Sequence, residues 1–313
     1  MDEISGQARR GQDAPGAQGE RRALVTGANG FTGVYVIEAL KQSGYRVFGA
    51  VHSGRLAGVD EFSVDLCDIA AASALVNHVK PDVVVHLAGL SFVAHADVDL
   101  IYRVNIGATR NLLAALADAP HRCSKVLLAS SANIYGNADV GLIDETQPPA
   151  PANDYAVSKL AMEYMARLWM DRLPIVIVRP FNYTGRGQDE RFLLPKIVGH
   201  FRRRAPAIEL GNLAIARDFS DVRTVAQCYR RLLESGQDGE AYNICSGQSV
   251  SLHAALDMLA EIAGYRIEVQ VNPAFVRAND VLTLAGSNAK LTAAIGAIDP
   301  VPLVTTLRWM SEA

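Results

Sequence analysis

Short apolar segments alternate with amphipathic ones over the first half of the chain. The apolar segments read ALVTG, YRVFGAV, DVVVHLAG, KVLLASS and PIVIVRP, and they are rich in Val, Ile and Leu. The segments between them, such as GVYVIEALKQSG and DYAVSKLAMEYMARLWM, have the spacing of amphipathic helices. Apolar strands separated by helices are typical of a parallel sheet covered on both faces. We therefore predict an α/β fold with a Rossmann-like, doubly wound parallel sheet in residues 21–180.

The second half of the chain has a less regular pattern. Residues 181–313 are rich in loops and contain shorter strand candidates, so we expect them to form mainly a smaller C-terminal α/β lobe that binds substrate. Parts of residues 217–250, with the regular segments DVRTVAQCYRRLLESG and AYNIC, are expected to pack back onto the main sheet. Residues 1–20 are rich in Gly, Gln, Asp and Arg, which predicts a disordered tail.

Charge and hydropathy limit the partners of the chain. Its 313 residues include 30 Lys+Arg and 33 Asp+Glu, a formal net charge of −3, which argues against bulk electrostatic binding of nucleic acid. No apolar run reaches the ~20 residues of a membrane span, and the first twenty residues lack the apolar region of a signal peptide. The four cysteines lack metal-ligand spacing. We expect a cytoplasmic protein without a membrane partner or a metal.

Three glycines with GxxGxxG spacing follow the first predicted strand and open a helix: Gly27, Gly30 and Gly33. Glycine permits a tight turn, lets the backbone approach a pyrophosphate and packs the helix close to the sheet, while the helix N-terminus donates N–H groups to the anion. A tight turn without a ligand is the alternative. Because the turn lies between a strand and a helix, it favours a dinucleotide site.

The end of the second strand indicates which dinucleotide binds. An NAD site usually has an acidic residue there, whereas this chain has His52, Ser53 and Arg55 and no carboxylate. These side chains can hydrogen-bond or neutralise a 2′-phosphate. We therefore predict NADPH in preference to NADH, with a solvated Arg55 as the alternative.

Two further groups of side chains can perform acid–base chemistry. Tyr155 and Lys159 are four residues apart in a predicted helix, so they share one face. An ammonium group near a phenol stabilises the phenolate and lowers the pKa of the phenol. Ser130 and Ser131 end the strand KVLLASS, at the sheet edge where parallel sheets bind ligands. Strand capping is the alternative for the serines, and the ordered combination of glycine turn, serine and Tyr-x-x-x-Lys favours catalysis.

With these motifs the chain resembles the extended short-chain dehydrogenase/reductase family from about residue 22 to its C-terminus. The matching segments are TGANGFTG, HLAG, SSANIYG and YAVSK. The resemblance implies Ser131, Tyr155 and Lys159 as catalytic residues, with Ser130 as the alternative serine. The complete predicted cofactor site consists of Gly27, Asn29, Gly30, Phe31, Thr32, Gly33, His52, Ser53, Arg55, Asp65, Leu66, Leu87, Ala88, Gly89, Tyr155 and Lys159.

Within that family, the second half is similar to GDP-4-keto-6-deoxy-D-mannose reductases. The similar segments are RPFNYTGRGQ, GNL, RDFSDV, YNICSG and RAND, with Ala278, Tyr183, Thr184 and Arg186 as departures from the usual pattern. Dehydratases carry a carboxylate where this chain has Asn133, so dehydration is not expected. The resemblance implies reduction of a GDP-4-keto-6-deoxy-hexose to GDP-D-rhamnose. It also implies a substrate site of Ser130, Asn133, Asn182, Lys196, Arg217 and Arg277.

Several alternatives stay open at this point. A 4-epimerase, or a 4-ketoreductase of another nucleotide sugar such as the 6-deoxy-talose epimer or a dTDP- or UDP-linked sugar, would share the same motifs. A non-catalytic, cofactor-sensing regulator is a further alternative, although such proteins usually lose the Tyr/Lys pair. Family members often dimerise through the helix that carries the catalytic tyrosine. We therefore expect a homodimer, with Tyr164, Met165 and Trp169 as candidate interface residues.

Overall fold

The computed structural model describes residues 20–91, 97–138, 141–275 and 283–312, so the predicted tail lies, apart from Glu20, outside the described residues. The strands are β1 (Arg22–Thr26), β2 (Arg46–Val51), β3 (Asp60–Ser63), β4 (Val83–His86), β5 (Lys125–Ala129), β6 (Leu142–Ile143), β7 (Ile175–Pro180), β8 (Asn182–Thr184), β9 (Ala207–Leu210), β10 (Ala216–Asp221), β11 (Ala241–Ile244), β12 (Ser249–Ser251), β13 (Glu268–Val271) and β14 (Thr283–Gly286). The α-helices are α1 (Phe31–Gln42), α2 (Ile69–Val79), α3 (Val98–Tyr102), α4 (Thr109–Asp118), α5 (Asp154–Arg167), α6 (Leu193–Arg202), α7 (Val222–Ser235), α8 (Leu252–Ala263), α9 (Ala289–Ile295) and α10 (Leu303–Ser311).

Three short helical turns complete the described chain. A π-helical segment, Arg103–Ala108, joins α3 to α4, and 3₁₀ turns occupy Ala132–Tyr135 and Pro273–Phe275. Among the described residues, no helix combines the length and apolar character needed to cross a bilayer.

The central sheet contains seven strands in the described part of the chain, in the order β3-β2-β1-β4-β5-β7-β11. All six neighbouring pairs are parallel. Val83 and Val85 of β4 pack into one hydrophobic core, and Val84 between them packs into the core on the other face. Because both faces of the sheet are buried, successive side chains of a strand are all apolar. The predicted Rossmann-like α/β fold is confirmed.

Helices cover both faces of this sheet. Residues of α1 and α7 contribute to the first core, including Leu40 and Leu232, whereas residues of α2, α4 and α5 contribute to the second, including Leu75, Leu112 and Met162. Although α7 and β11 belong to the second half of the sequence, β11 pairs with β7 and α7 packs against α1. The main sheet therefore includes elements from both halves of the chain.

The remaining elements form a smaller group around a second sheet. Its order is β12-β10-β14-β6, and β8 pairs with β10. Two further strands, β9 and β13, pair with each other, and their apolar side chains pack with α6, α8 and α10 around Ile197, Leu259 and Leu307. Since β6 precedes α5 in the chain and β8 directly follows β7, this second sheet is connected to the main sheet at several points.

Candidate active site

In the turn between β1 and α1, the positions of Gly27 and Gly33 have no room for a side chain. Gly27 has a φ of +65°, and a Cβ atom there would lie 2.8 Å from the backbone nitrogen of Ala88. A Cβ atom on Gly33 would lie 2.5 Å from the carbonyl oxygen of Gly27. Gly30 is the N-cap of α1 and supplies no capping side chain, so first-turn N–H groups are available to a ligand. The turn thus fits the diphosphate of a dinucleotide.

The residues predicted to hold the adenosine end gather beside this turn. The Asn29 side chain donates a 2.7 Å hydrogen bond to the carbonyl oxygen of Ser53, which links the glycine turn to the segment after β2. His52 and Arg55 are exposed in that segment. Asp65 is exposed after β3 and accepts a hydrogen bond from the backbone of Cys67, and the neighbouring Leu66 is buried.

The end of β4 forms the next part of the site. The backbone N–H of Leu87 bonds the Thr26 carbonyl, and the Ala88 N–H bonds the Thr26 hydroxyl, both at 3.2 Å. His86 lies between the hydroxyls of Thr26 and Thr109, at 2.7 and 2.9 Å. Burial, together with the nearby charge of Lys159, lowers the pKa of His86 to about 3. His86 is therefore a neutral structural side chain at physiological pH.

Ser131 and Tyr155 meet at the end of β5. Both are buried, and the Ser131 hydroxyl accepts a 3.1 Å hydrogen bond from the backbone N–H of Asn133. Burial raises the pKa of Tyr155 to about 12, although the nearby Ser131 hydroxyl acts to lower it. The net direction is opposite to that expected from the Tyr-x-x-x-Lys spacing, because the cost of burying a phenolate is the larger effect. Tyr155 therefore holds its proton at neutral pH and is suited to donate it.

Lys159 lies one helical turn after Tyr155 and is also buried. Its Nζ donates a 2.8 Å hydrogen bond to the carbonyl oxygen of Ala129 at the end of β5. Burial lowers the pKa of Lys159 to about 8, partly opposed by the charge of Glu163. A Cβ atom on Gly89 would lie 3.4 Å from Nζ, so the lysine borders the predicted cofactor segment. The structure thus brings the predicted catalytic residues and the glycine turn to one edge of the sheet.

The π-helical segment supports this edge through Asn105. The Asn105 amide nitrogen donates to the Ser158 hydroxyl at 2.9 Å, and its oxygen accepts from the backbone of Leu90 at 2.8 Å. Asn105 therefore joins α5 to the segment after β4, the two elements that carry Lys159 and Gly89.

Ser130 has a different environment from Ser131. Its hydroxyl donates a 2.5 Å hydrogen bond to Glu163, which is buried and paired with Arg179. Arg179 also donates to the hydroxyl of Tyr135, which in turn donates to Asn243. This network is not evident from the sequence, because nothing in the order of residues shows that α5, β7 and β11 meet. Because Glu163 engages Ser130, Ser131 is the better candidate for substrate contact.

The predicted substrate residues are distributed between the end of β5 and the smaller sheet with its helices. Asn133 is exposed in a 3₁₀ turn directly after Ser131, and Asn182 is exposed on β8. Arg217 on β10 is partly buried, with Nη1 3.0 Å from the carbonyl oxygen of Ala216. Lys196 donates to the carbonyl oxygen of Glu209 and lies 4.6 Å from the ring centroid of Phe275. Arg277 lies outside the described residues.

Comparisons with known proteins identify relatives of this chain. Residues 23–245 match the sequence model of the NAD dependent epimerase/dehydratase family. GDP-6-deoxy-D-talose 4-dehydrogenase of Aggregatibacter actinomycetemcomitans is 36% identical over 276 residues, 88% of this chain and 91% of the relative. GDP-6-deoxy-D-mannose reductase of Pseudomonas aeruginosa is 35% identical over 239 residues, 73% of this chain and 78% of the relative.

A solved structure with a bound cofactor is also similar to this chain. RMD from Pseudomonas aeruginosa, in complex with NADPH, superimposes with a TM-score of 0.82 at 30% identity, covering 93% of this chain and 98% of that one. The family model spans the glycine turn, the Ser131–Tyr155 pair and Lys159. The chain therefore belongs to the NAD dependent epimerase/dehydratase family, within the extended short-chain dehydrogenases/reductases, and is an NAD(P)-dependent oxidoreductase.

Proposed function

We propose that this protein uses NADPH to reduce the 4-keto group of a GDP-4-keto-6-deoxy-hexose, and that the product from GDP-4-keto-6-deoxy-D-mannose is GDP-D-rhamnose. The observation that carries the proposal is the burial of Ser131 and Tyr155 together at the end of β5, where Lys159 bonds the Ala129 carbonyl oxygen and burial keeps Tyr155 protonated. A reductase needs a proton donor at the ketone oxygen, and this pair supplies one. The named activities of the two curated relatives support a GDP-linked sugar.

Each side chain of the site has a separate task in this reaction. Tyr155 donates its proton to the oxygen of the ketone as negative charge develops there, and Ser131 stabilises the same oxygen by a hydrogen bond. Lys159 holds the ribose next to the nicotinamide and favours the phenolate that Tyr155 becomes. Bound NADPH supplies the hydride. Gly27 and Gly33 allow the diphosphate of the cofactor to approach the backbone.

The substrate's own diphosphate requires positively charged side chains in the substrate site. We assign this task to Arg217 and Arg277, because a guanidinium offers two fixed donors to phosphate oxygens. Asn182 and Asn133 are exposed and can hydrogen-bond the sugar. Binding the diphosphate holds the ketone near Tyr155, which lowers the entropic cost of the transition state.

The test of the reaction is direct. Purified protein with NADPH and GDP-4-keto-6-deoxy-mannose should lose absorbance at the nicotinamide band, and dTDP- and UDP-linked 4-keto sugars should react more slowly. Absence of cofactor consumption with all three substrates would refute the proposal. A 4-epimerase is distinguished by NAD that stays bound during purification.

The configuration of the product at C4 has two candidates. The relative from Aggregatibacter actinomycetemcomitans is named for GDP-6-deoxy-D-talose, and its alignment covers more of this chain than that of the reductase. This coverage favours the talose epimer as the second candidate product. NMR of the product distinguishes them, because H4 is axial in one epimer and equatorial in the other.

The cofactor preference rests on the segment after β2. His52 and Arg55 are exposed there, beside the Ser53 carbonyl that Asn29 holds. Arg55→Ala should raise the KM for NADPH much more than the KM for NADH. Equal changes in the two constants would contradict the assignment.

We also propose that two copies of the protein associate through α5, in the cytoplasm. Tyr164 is 54% exposed and Leu168 is 80% exposed. Met165 and Trp169, by contrast, pack against the core of their own chain. Leu168→Asp should convert a dimer to a monomer in size-exclusion chromatography with light scattering, and a wild-type monomer would refute this part of the proposal.

A further inference from the structure

The segment that follows β7, which comprises β8 and the start of the loop after it, lies across the first two turns of α1. The hydroxyl of Tyr183 and that of Thr32 are joined by a 2.8 Å hydrogen bond, and the rings of Tyr183 and Phe31 stack with centroids 5.9 Å apart and planes 12° apart. One turn later, the Tyr35 hydroxyl donates to the carbonyl oxygen of Arg186 at 2.7 Å.

Tyr183 is the middle residue of β8, and the pairing of β8 with β10 fixes its orientation. In the register of β8 and β10, Tyr183 is opposite Ser220 and Asn182 is opposite Phe219. Because successive side chains of a strand point to opposite faces, Tyr183 faces α1 whereas Asn182 is on the other face. The strand that presents a candidate substrate residue therefore also contacts the helix of the glycine turn.

The surroundings of Tyr183 connect it to the catalytic residues. Burial raises the pKa of its phenol, partly opposed by the bond with Thr32, so Tyr183 is protonated at neutral pH. Electrostatic interaction with Tyr183 acts to raise the pKa of Tyr155. Phe31 and Thr32 are the first two residues of α1, whose backbone N–H groups belong to the glycine turn.

We propose that Tyr183 is a positioning residue for the cofactor. Its hydroxyl holds Thr32 and its ring holds Phe31, so that the first turn of α1 keeps a fixed orientation toward the diphosphate. This inference uses the cofactor of the family and does not depend on the identity of the sugar.

The test measures binding of each ligand separately. We would determine dissociation constants for NADPH from its fluorescence and for GDP by calorimetry, in the wild type, Tyr183→Phe, Thr32→Val and the double variant. Tyr183→Phe keeps the stacked ring and removes only the hydroxyl. Loss of one hydrogen bond should weaken NADPH binding about threefold to tenfold. GDP binding should stay within about twofold of the wild type, and the double variant should bind NADPH no more weakly than Thr32→Val alone.

A matched phenol provides the control. Tyr265 is partly buried on the smaller sheet's side of the molecule, and its hydroxyl donates to the Phe201 carbonyl at 3.3 Å. Tyr265→Phe should leave NADPH binding unchanged. Unchanged NADPH affinity in Tyr183→Phe, additive effects in the double variant, or equal weakening of NADPH and GDP would each overturn the proposal. These binding measurements need no turnover. A failure of the proposed reaction, which the turnover assay detects, is therefore distinguished from a failure of this inference.

Discussion

Replacing Glu163 by Gln removes one charge from a buried ion pair. Arg179 donates to the Glu163 carboxylate from Nε at 3.0 Å and from Nη2 at 2.7 Å, and the two side chains are 6% and 1% exposed. Burial acts to lower the pKa of Arg179, but the bonds with Glu163 outweigh it and raise that pKa, so the guanidinium stays charged. Leaving a buried charge unpaired costs about 3–5 kcal/mol. Since glutamine keeps one hydrogen-bond acceptor, we expect Glu163→Gln to lower the free energy of unfolding by about 3 kcal/mol.

The exposed pair of Glu190 and Arg203 is the matched control. It is also joined by two hydrogen bonds, at 2.8 and 2.9 Å, but its side chains are 51% and 54% exposed. Thermal unfolding followed by circular dichroism should show a decrease of roughly 6 °C for Glu163→Gln, at about 2 °C per kcal/mol for a chain of this size. Glu190→Gln should change the melting temperature little, because water solvates the charge that is left. Equal decreases in the two variants would refute the argument from burial.

Three further outcomes follow from the site. Tyr155→Phe should lower kcat by about 10²–10⁴-fold and leave NADPH binding intact, since only the proton donor is lost; turnover near the wild-type rate would remove Tyr155 from the mechanism. The pKa of Lys159 is lowered to about 8, so its cationic form is present below that pH and is lost as the pH rises. The value of kcat/KM for reduction should therefore decline above pH 8. A flat profile of kcat/KM through pH 10 would contradict the role of Lys159. Gly27→Ala should abolish NADPH binding, because the added Cβ would meet the backbone of Ala88. The control variant Gly44→Ala should bind NADPH normally, since Gly44 has a φ of +80° but nothing within 4 Å of an added Cβ. Equal NADPH binding by both variants would show that the glycine turn tolerates a side chain.

Much of the fold follows from local patterns in the sequence. The apolar runs of β1, β4, β5 and β7 predicted the parallel sheet, because each of these strands is buried on both faces. By contrast, β3 was not predicted. Its sequence, DEFS, is short and polar, and it becomes a strand because it pairs with β2 at the edge of the sheet. Pairing with a neighbour compensates there for weak local preference.

The site was predictable to the extent that its residues are neighbours along one element. Tyr155 and Lys159 share a helix face at a spacing of four residues, and Gly27, Gly30 and Gly33 occupy one turn. The contact of Tyr183 with Thr32 joins residues 151 positions apart. No local pattern contains such a contact, because it depends on where β8 lies relative to α1.

The sequence by itself determined the Rossmann-like sheet and the glycine turn and predicted the acid–base residues, since these depend on hydropathy, spacing and side-chain chemistry. Tertiary structure alone decided the protonation of the site. Burial raises the pKa of Tyr155, whereas the Tyr-x-x-x-Lys spacing predicted a lowered one, and it lowers the pKa of Lys159. Tertiary structure also decided that Ser130 bonds Glu163, which leaves Ser131 as the serine that acts on Tyr155. The physical reason is that desolvation and long-range pairing arise only when distant segments exclude water together.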